Sequence, residues 1–176
     1  MPEQVTFHYD VGSPWCWLAG ERIAPVLGAV AVWQPVLLAA QSPAVDRPKV
    51  DAAAAAQGLP PPRWPVPFPF DSTLAMLAAT FAKQTGRAVA FSLAAMRQAF
   101  AGARDLSVPD NVLIAAAACE LHPRAVLKGV ETASVRDALR DATAAAVAAG
   151  VSEVPAVTVG GRVFTGPAAV EEAAAA

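Results

Sequence analysis

The sequence predicts an α/β fold, with strands near both ends of the chain and a block of helices between them. Residues 1–38 show the order strand, helix, strand, and residues from 155 onward show the order strand, strand, helix. Hydrophobic residues make up 55% of the 176 residues, so the chain can bury a large core. We therefore expect one folded domain, or one domain with an insertion, and not a disordered chain.

Local signals predict the β-α-β unit at the start of the chain. Apolar and polar residues alternate over positions 5–11, which is the period of a strand. Ser13 is a good N-cap and Pro14 suits the first helical position, so a helix is expected from Trp15 to Leu27. Residues 29–38 predict a second strand. Because this segment contains Pro35, we expect either that the strand lies at a sheet edge or that Pro35 lies near the end of the strand.

The middle of the chain is predicted to be helical except for one proline-rich segment. Residues 49–57 predict a short alanine-rich helix, and four apolar stripes at helical spacing follow residue 72. Residues 58–70 contain too many prolines to form a helix. The aromatic side chains between Arg63 and Phe70 need apolar surface to pack against, either as an apolar wall over a pocket or as a packed loop. The packed loop is favoured unless the chain ends form a pocket.

The end of the chain predicts a hairpin and a helix. Pro155–Val159 and Arg162–Thr165 have the composition of strands. The Gly160-Gly161 pair between them is typical of a two-residue hairpin turn. A last helix is expected near Pro167.

Composition and charge exclude several classes of function. A net charge of -2 and a pI of 5.6 argue against nucleic acid as a partner, because phosphate neutralisation needs a basic surface. Two cysteines and two histidines are too few and too far apart for a disulfide framework or a metal cluster. Neither a secretory signal nor a membrane-spanning run is recognised in the sequence. We therefore expect a cytoplasmic protein with reduced thiols and no membrane partner.

The first candidate site is the tetrapeptide Ser13-Pro14-Trp15-Cys16, where a strand leads into a helix. A helix N-terminus carries partial positive charge and unpaired N–H donors, so it stabilises anions and thiolates. Ligands of such sheets bind at the carboxyl ends of the strands. Ser13 either donates a hydrogen bond to a ligand thiolate or is only the helix cap, with Trp15 as part of the core. The tetrapeptide by itself leaves both interpretations open.

The second candidate site is Glu153-Val154-Pro155, just before the predicted hairpin. A cis bond before Pro155 would turn the N–H and C=O groups of Val154 outward, where they could pair with an extended, peptide-like ligand. An ordinary trans proline at the start of a strand is the alternative interpretation.

Together, the two sites and the order of elements resemble the DsbA-like branch of the thioredoxin superfamily. Within it, the opening of the chain is similar to that of the 2-hydroxychromene-2-carboxylate isomerases and the kappa-class glutathione transferases. These have Ser-Pro-aromatic-Ser and similar tetrapeptides where disulfide oxidases have Cys-x-x-Cys. The likeness spans nearly the whole chain. The segments that carry it are Phe7–Leu18, Gly58-Leu59-Pro60, Pro67-Phe68-Pro69, Ser72-Thr73-Leu74-Ala75 and Gly150–Pro155.

The resemblance implies a thioredoxin-like α/β fold with an all-helical insertion. Residues 1–40 and 150–176 would form a discontinuous thioredoxin-like domain, and residues 41–149 would form the inserted helical domain. It also implies glutathione as the thiol cofactor or substrate, with Ser13 as the catalytic residue that holds its sulfur as a thiolate. The implied glutathione-binding residues are Ser13, Val154, Pro155 and Gly166, and the implied substrate pocket contains Trp15, Trp64 and Phe68.

The activity implied is glutathione-dependent cis–trans isomerisation, or group transfer, on a small aromatic or hydrophobic electrophile. A serine cannot form the mixed disulfide that a cysteine forms, so the bound thiolate stays free to add to a conjugated double bond. The partners expected are therefore a small-molecule substrate and, because members of this kind are commonly dimers, a second copy of the chain. No metal is expected.

Cys16 supports a rival hypothesis. Ser-Pro-Trp-Cys also looks like the Cys-Pro-Trp-Cys of cytosolic DsbA-like oxidoreductases with the first cysteine replaced. Loss of that attacking cysteine removes dithiol exchange, which leaves Cys16 a monothiol redox role or a supporting role near the helix dipole. A third hypothesis is a non-catalytic binding protein that keeps the fold but little of the chemistry.

Overall fold

The computed structural model describes residues 4–176, and this part of the chain contains four strands and eight α-helices. A single-turn 3-10 helix covers Ala39–Gln41. In chain order the elements are β1 (Val5–Tyr9), α1 (Pro14–Leu27), β2 (Ala31–Pro35), α2 (Arg47–Ala56), α3 (Thr73–Gln84), α4 (Ala88–Phe100), α5 (Pro109–Ala118), α6 (Pro123–Val130), α7 (Ala133–Ala148), β3 (Ala156–Val159), β4 (Arg162–Thr165) and α8 (Ala169–Ala174).

The strands form one mixed sheet in the order β2-β1-β3-β4. β1 runs parallel to β2 and antiparallel to β3, with His8 opposite Ala156. Because β1 and β3 are antiparallel, the end of β1 lies beside the beginning of β3. This pairing brings the turn that contains Ser13 close to Val154. β2 is an edge strand and ends at Pro35, as its proline predicted.

Helix α1 follows its local signals closely. Ser13 is the N-cap, Pro14 is the first helical residue, and Gly28 ends the helix in the left-handed conformation with φ of 61°. Pro25 lies inside the helix, near its end. The predicted boundaries are therefore confirmed to within one residue, because capping chemistry acts over a single turn.

The helical block contains one helix more than the four apolar stripes predicted. The additional helix is α6, which is capped by His122 through a hydrogen bond from the Arg124 backbone nitrogen at 3.2 Å. The sequence predicts that α3 buries a stripe of Leu74, Leu77, Ala78 and Phe81. The structure instead buries its alanines and Met76 fully and leaves Leu74, Leu77 and Phe81 half-buried. Close helix packing explains the difference, because small side chains let α3 approach its neighbours. The proline-rich segment contains no helix, as predicted.

The core extends from the sheet into the helical block without a break. Phe7 and Tyr9 of β1 pack edge-on against Trp33 of β2, with ring centroids 4.9 and 5.3 Å away. The hydroxyl groups of Tyr9 and Ser92 are 2.6 Å apart, which joins β1 to α4. Among residues 4–176, no helix is long and apolar enough to cross a membrane.

Candidate functional site

A cavity of about 950 Å³ opens where the start of α1, the loop after β2, the start of α3 and the turn before β3 meet. It is larger than two other cavities, of about 400 and 480 Å³, that lie elsewhere on the described chain. The two candidate sites identified in the sequence both contribute to this one cavity. Its lining includes Ser13, Trp15, Arg47, Phe68, Glu153 and Val154.

Ser13 lies at the base of the cavity as the N-cap of α1. Its Oγ accepts a hydrogen bond from the backbone nitrogen of Cys16 at 3.3 Å. The side chain is mostly buried, with the residue 5% exposed, yet it lines the cavity. Because the oxygen accepts from the helix, the hydroxyl hydrogen remains available as a donor toward a ligand. Capping and ligand binding are therefore compatible roles for this residue.

Asp10, which the sequence analysis did not single out, holds the walls of the cavity together. Its fully buried carboxylate accepts hydrogen bonds from the backbone nitrogens of Gly12, Leu38 and Ala39 at 2.9, 3.0 and 2.9 Å. Burial raises the pKa of this carboxyl group, and these hydrogen bonds oppose that shift. The carboxylate thus ties the loop after β2 to the turn that presents Ser13.

Val154 lies opposite this turn, and only Pro155 separates it from β3. The bond between Val154 and Pro155 is cis, which is the first of the two interpretations that the sequence left open. The backbone nitrogen of Val154 donates a hydrogen bond to Ser42 Oγ at 3.1 Å. Its carbonyl oxygen accepts no backbone hydrogen bond from residues 4–176. Ser42 was not recognised from the sequence, where it is one polar residue in a loop.

Phe68 lines the cavity together with the aromatic residues Trp15 and Phe70, and Trp64 packs behind Phe68. The ring centroids of Phe68 and Trp64 are 5.0 Å apart, and both rings contact Phe100 of α4, at 6.0 and 6.2 Å. Trp64 is not one of the described residues that line the cavity. The proline-rich segment is therefore both a packed loop and, through Phe68, a pocket wall, so the two interpretations of it are not exclusive.

Arg47, at the start of α2, adds a positive charge to this wall. Its guanidinium carbon lies 4.8 Å from the centroid of the Trp64 ring and 5.6 Å from that of Phe68. In the described part of the chain it forms no salt bridge. No spacing in the sequence marks this residue, because the stacking depends on the path of a loop that is distant along the chain.

Cys16 is placed where a thiol is unreactive. The residue is completely buried and is not one of the described residues that line the cavity. Burial raises the pKa of its thiol to about 12, although hydrogen bonding with the Asp10 backbone opposes the shift. The thiolate, which is the nucleophilic form, is therefore scarce near neutral pH. Cys119 is also buried, and both cysteines are free thiols.

Gly166 and Pro155 lie beside the cavity without being part of its described lining. The backbone nitrogen of Gly166 donates to the Pro155 carbonyl oxygen at 2.8 Å. Gly166 has φ of 85°, a left-handed conformation that favours glycine. The two residues thus hold the turn that carries Val154 against the end of β4.

The site contains no recognisable metal centre. Within residues 4–176 there is no group of three or more His, Cys, Asp or Glu side chains arranged to hold a metal ion. His8 of β1 instead contacts Thr158 Oγ1 through Nε2 at 3.3 Å. Burial, together with the charge of Lys83, lowers its pKa to about 4, so the ring is neutral at physiological pH.

The fold and this cavity define the class of protein. The chain matches the DSBA-like thioredoxin domain over residues 4–176, and it belongs to that family. The predicted membership and the thioredoxin-like α/β fold are therefore confirmed. A comparison with curated proteins gave no match.

Solved structures show the same fold at low sequence identity. One is a 2-hydroxychromene-2-carboxylate isomerase, at 15% identity and a TM-score of 0.79, covering 93% of this chain and 88% of that chain. A probable DsbA oxidoreductase from Streptomyces coelicolor has 20% identity and a TM-score of 0.77, covering 98% and 87%. The cytosolic disulfide reductase DsbM from Pseudomonas aeruginosa, with GSH, has 16% identity and a TM-score of 0.71, covering 98% and 96%.

Proposed function

We propose that this protein is a glutathione-dependent isomerase or transferase that acts on a small aromatic or hydrophobic electrophile. The observation that carries the proposal is the position of Ser13. Its hydroxyl lies at the N-terminus of α1 and lines the same cavity as Val154, while the nearest cysteine is buried. The disulfide reductase DsbM, which has the same fold and was solved with GSH, supports glutathione as the thiol ligand.

Ser13 would hold the glutathione sulfur as a thiolate. The hydroxyl donates a hydrogen bond to the sulfur, and the positive end of α1 stabilises its negative charge. A serine oxygen cannot accept the sulfur in a mixed disulfide, so the ligand keeps its nucleophile. The protein thereby supplies orientation and charge stabilisation, and glutathione supplies the reacting atom.

In the isomerase reaction the sulfur adds to a double bond conjugated to a carbonyl group. A carbon–sulfur bond forms, and the π electrons move to the carbonyl oxygen as an enolate. Rotation then occurs about the new single bond. The enolate electrons return, the carbon–sulfur bond breaks, and the double bond re-forms in the other geometry. The thiolate is regenerated, so no oxidant, reductant or net proton is consumed.

Val154 would align the glutathione backbone as an added strand does. Its carbonyl oxygen is available to accept a ligand N–H group, and its own N–H can donate to a ligand carbonyl once Ser42 moves aside. Two such hydrogen bonds fix the direction of a peptide. The cysteine side chain of the ligand can then reach Ser13 across the cavity.

Phe68 and Arg47 favour a flat, anionic substrate. An aromatic face binds a planar ring by stacking, with Trp15 contributing further apolar surface to the lining. The guanidinium of Arg47 is held over the Trp64 and Phe68 rings without a carboxylate partner in the described chain, so it is available to a substrate carboxylate. The substrate class proposed is therefore a small aromatic electrophile with a carboxylate.

The two rival hypotheses have less support. A monothiol redox role for Cys16 would require an accessible thiolate, whereas burial raises the pKa of this thiol to about 12. A binding protein without chemistry would not need a donor hydroxyl at a helix N-terminus facing an open cavity. The cytoplasm and a homodimer remain the proposed compartment and assembly.

Calorimetric titration with glutathione tests the proposal. Native protein should show a heat of binding with glutathione. Ser13→Ala should bind glutathione at least about tenfold more weakly, because it lacks one charge-assisted hydrogen bond to the thiolate. Ser13→Asp keeps a capping oxygen but has no donor at neutral pH, so it separates capping from thiolate binding. The exposed Ser134→Ala should bind as native protein does. Absence of heat from native protein at millimolar glutathione would refute the proposal.

A further inference from the structure

Glu153 is an acidic residue in the lining of the cavity. It immediately precedes Val154, is half-buried, and lines the same cavity as Ser13. Its Oε1 lies 3.2 Å from the point that a Cβ atom on Gly166 would occupy. The carboxylate therefore lies against the backbone of the turn after β4, at the edge of the cavity.

This carboxylate has no cationic partner in the described chain. Glu21, another half-buried acidic residue, has such a partner, since its Oε1 is 2.7 Å from Arg97 Nε. Neither basic residue of the cavity lining pairs with Glu153, since Arg47 lies over the Trp64 ring, on the wall proposed for the substrate carboxylate, and Lys49 pairs with Asp46 at 3.5 Å. A partly desolvated carboxylate gains free energy when a cation reaches it.

The adjacent wall favours a ligand cation over a ligand anion. Pro167 lines the cavity next to Gly166, and a proline has no N–H group with which to bind a carboxylate. The backbone nitrogen of Gly166 is already used by the Pro155 carbonyl oxygen at 2.8 Å. Among the residues that line this part of the cavity edge, Glu153 carries a net charge, and that charge is negative. The nearby guanidinium of Arg22 donates to the Pro167 carbonyl oxygen at 3.0 Å and pairs with Glu171.

We propose that Glu153 binds the primary ammonium group of the thiol ligand and makes the site selective for thiols that carry one. The inference rests on the proposed function, because it places the ligand sulfur at Ser13 and its peptide beside Val154. In glutathione the ammonium group belongs to the γ-glutamyl end, beyond the peptide that Val154 would align. Thiols without an ammonium group would leave Glu153 unpaired next to bound ligand.

The test is a comparison of two ligands on two proteins by calorimetry. Glutaryl-cysteinyl-glycine differs from glutathione only in having hydrogen in place of the ammonium group. Native protein should bind glutathione about tenfold more tightly than the glutaryl peptide, because a charge-assisted hydrogen bond contributes about this factor to affinity. In Glu153→Gln this ratio should fall to below about threefold. Glu131→Gln, an exposed substitution outside the cavity lining, should keep the native ratio.

The outcomes separate this inference from the proposed function. Equal affinity of native protein for the two ligands, with binding still dependent on Ser13, overturns the role of Glu153 and leaves the proposed function in place. A tenfold preference that persists in Glu153→Gln also overturns it, because another residue then recognises the ammonium group. If native protein binds neither ligand, the proposed function and this inference are both overturned.

Discussion

Ser42 Oγ accepts the hydrogen bond from the backbone nitrogen of Val154 at 3.1 Å, and the same hydroxyl donates to the Leu38 carbonyl oxygen at 3.1 Å. The loop after β2 is thereby connected to the turn before β3 across the cavity. A peptide ligand that uses the N–H group of Val154 must displace this hydroxyl. Ser42 is therefore a competitor for the backbone group that glutathione is proposed to use.

Removal of this competitor should strengthen ligand binding. Ser42→Ala leaves the Val154 N–H group without its present partner, so glutathione should bind about two- to tenfold more tightly, the range of one neutral hydrogen bond. The free energy of unfolding should fall by about 1 kcal/mol for the same reason. Calorimetry and urea unfolding measure the two effects, with the exposed Ser107→Ala as control. Weaker glutathione binding by Ser42→Ala would show instead that Ser42 contacts the ligand.

Asp10 should be a principal determinant of the stability of the site. Asp10→Ala leaves the backbone N–H groups of Gly12, Leu38 and Ala39 without their acceptor, so the free energy of unfolding should fall by about 3 kcal/mol or more. The exposed Asp51→Ala should change it by less than about 0.5 kcal/mol. Urea unfolding measures both variants. A loss for Asp10→Ala as small as that for Asp51→Ala would contradict the role assigned to this carboxylate.

Cys16 should make stability fall at alkaline pH. Its thiol has a pKa of about 12 in the folded protein, against an ordinary value of 9.0. Above pH 9 the unfolded chain loses this proton while the folded protein keeps it, so rising pH favours unfolding. The stability that the protonated Cys16 thiol allows is therefore present in full below the pKa of this thiol in the unfolded chain. It is lost as pH rises toward the pKa of the thiol in the folded protein.

The measurement is urea unfolding at a series of pH values for native protein and Cys16→Ala. The free energy of unfolding of native protein should decrease more steeply above pH 9 than that of the variant. The buried thiol should also resist alkylation in folded protein and react after unfolding. Rapid alkylation of Cys16 in folded protein at neutral pH would contradict its assignment as an unreactive residue and would favour the redox hypothesis.

Substitution of Arg47 should weaken the binding of the substrate and leave the affinity for glutathione unchanged. With 2-hydroxychromene-2-carboxylate as the probe, Arg47→Met should raise KM by about tenfold, because the substrate carboxylate loses a charge-assisted hydrogen bond. Glutathione affinity should remain near the native value. The exposed Arg136→Met of α7 is the matched control. Loss of glutathione binding in Arg47→Met, with KM for the substrate unchanged, would show that this guanidinium binds glutathione and not the substrate.

Much of the fold was predictable because its signals are local. The ends of α1 follow from Ser13 and Gly28, and the β3–β4 hairpin follows from Gly160-Gly161, since each of these residues acts within one turn of its own position. No apolar stripe predicted helix α6, because its 8 residues span only about two turns. An apolar stripe that short cannot be distinguished from chance.

The sequence by itself determined the family, the order of elements and four residues of the cavity, Ser13, Trp15, Phe68 and Val154. Only the tertiary structure showed that Asp10, Arg47 and Ser42 belong to the same site. The reason is the distance along the chain over which these contacts act: Ser42 and Val154 are separated by 112 positions. A cap or a turn is encoded by neighbouring residues. A hydrogen bond between two loops depends on the packing of the sheet and helices that support them.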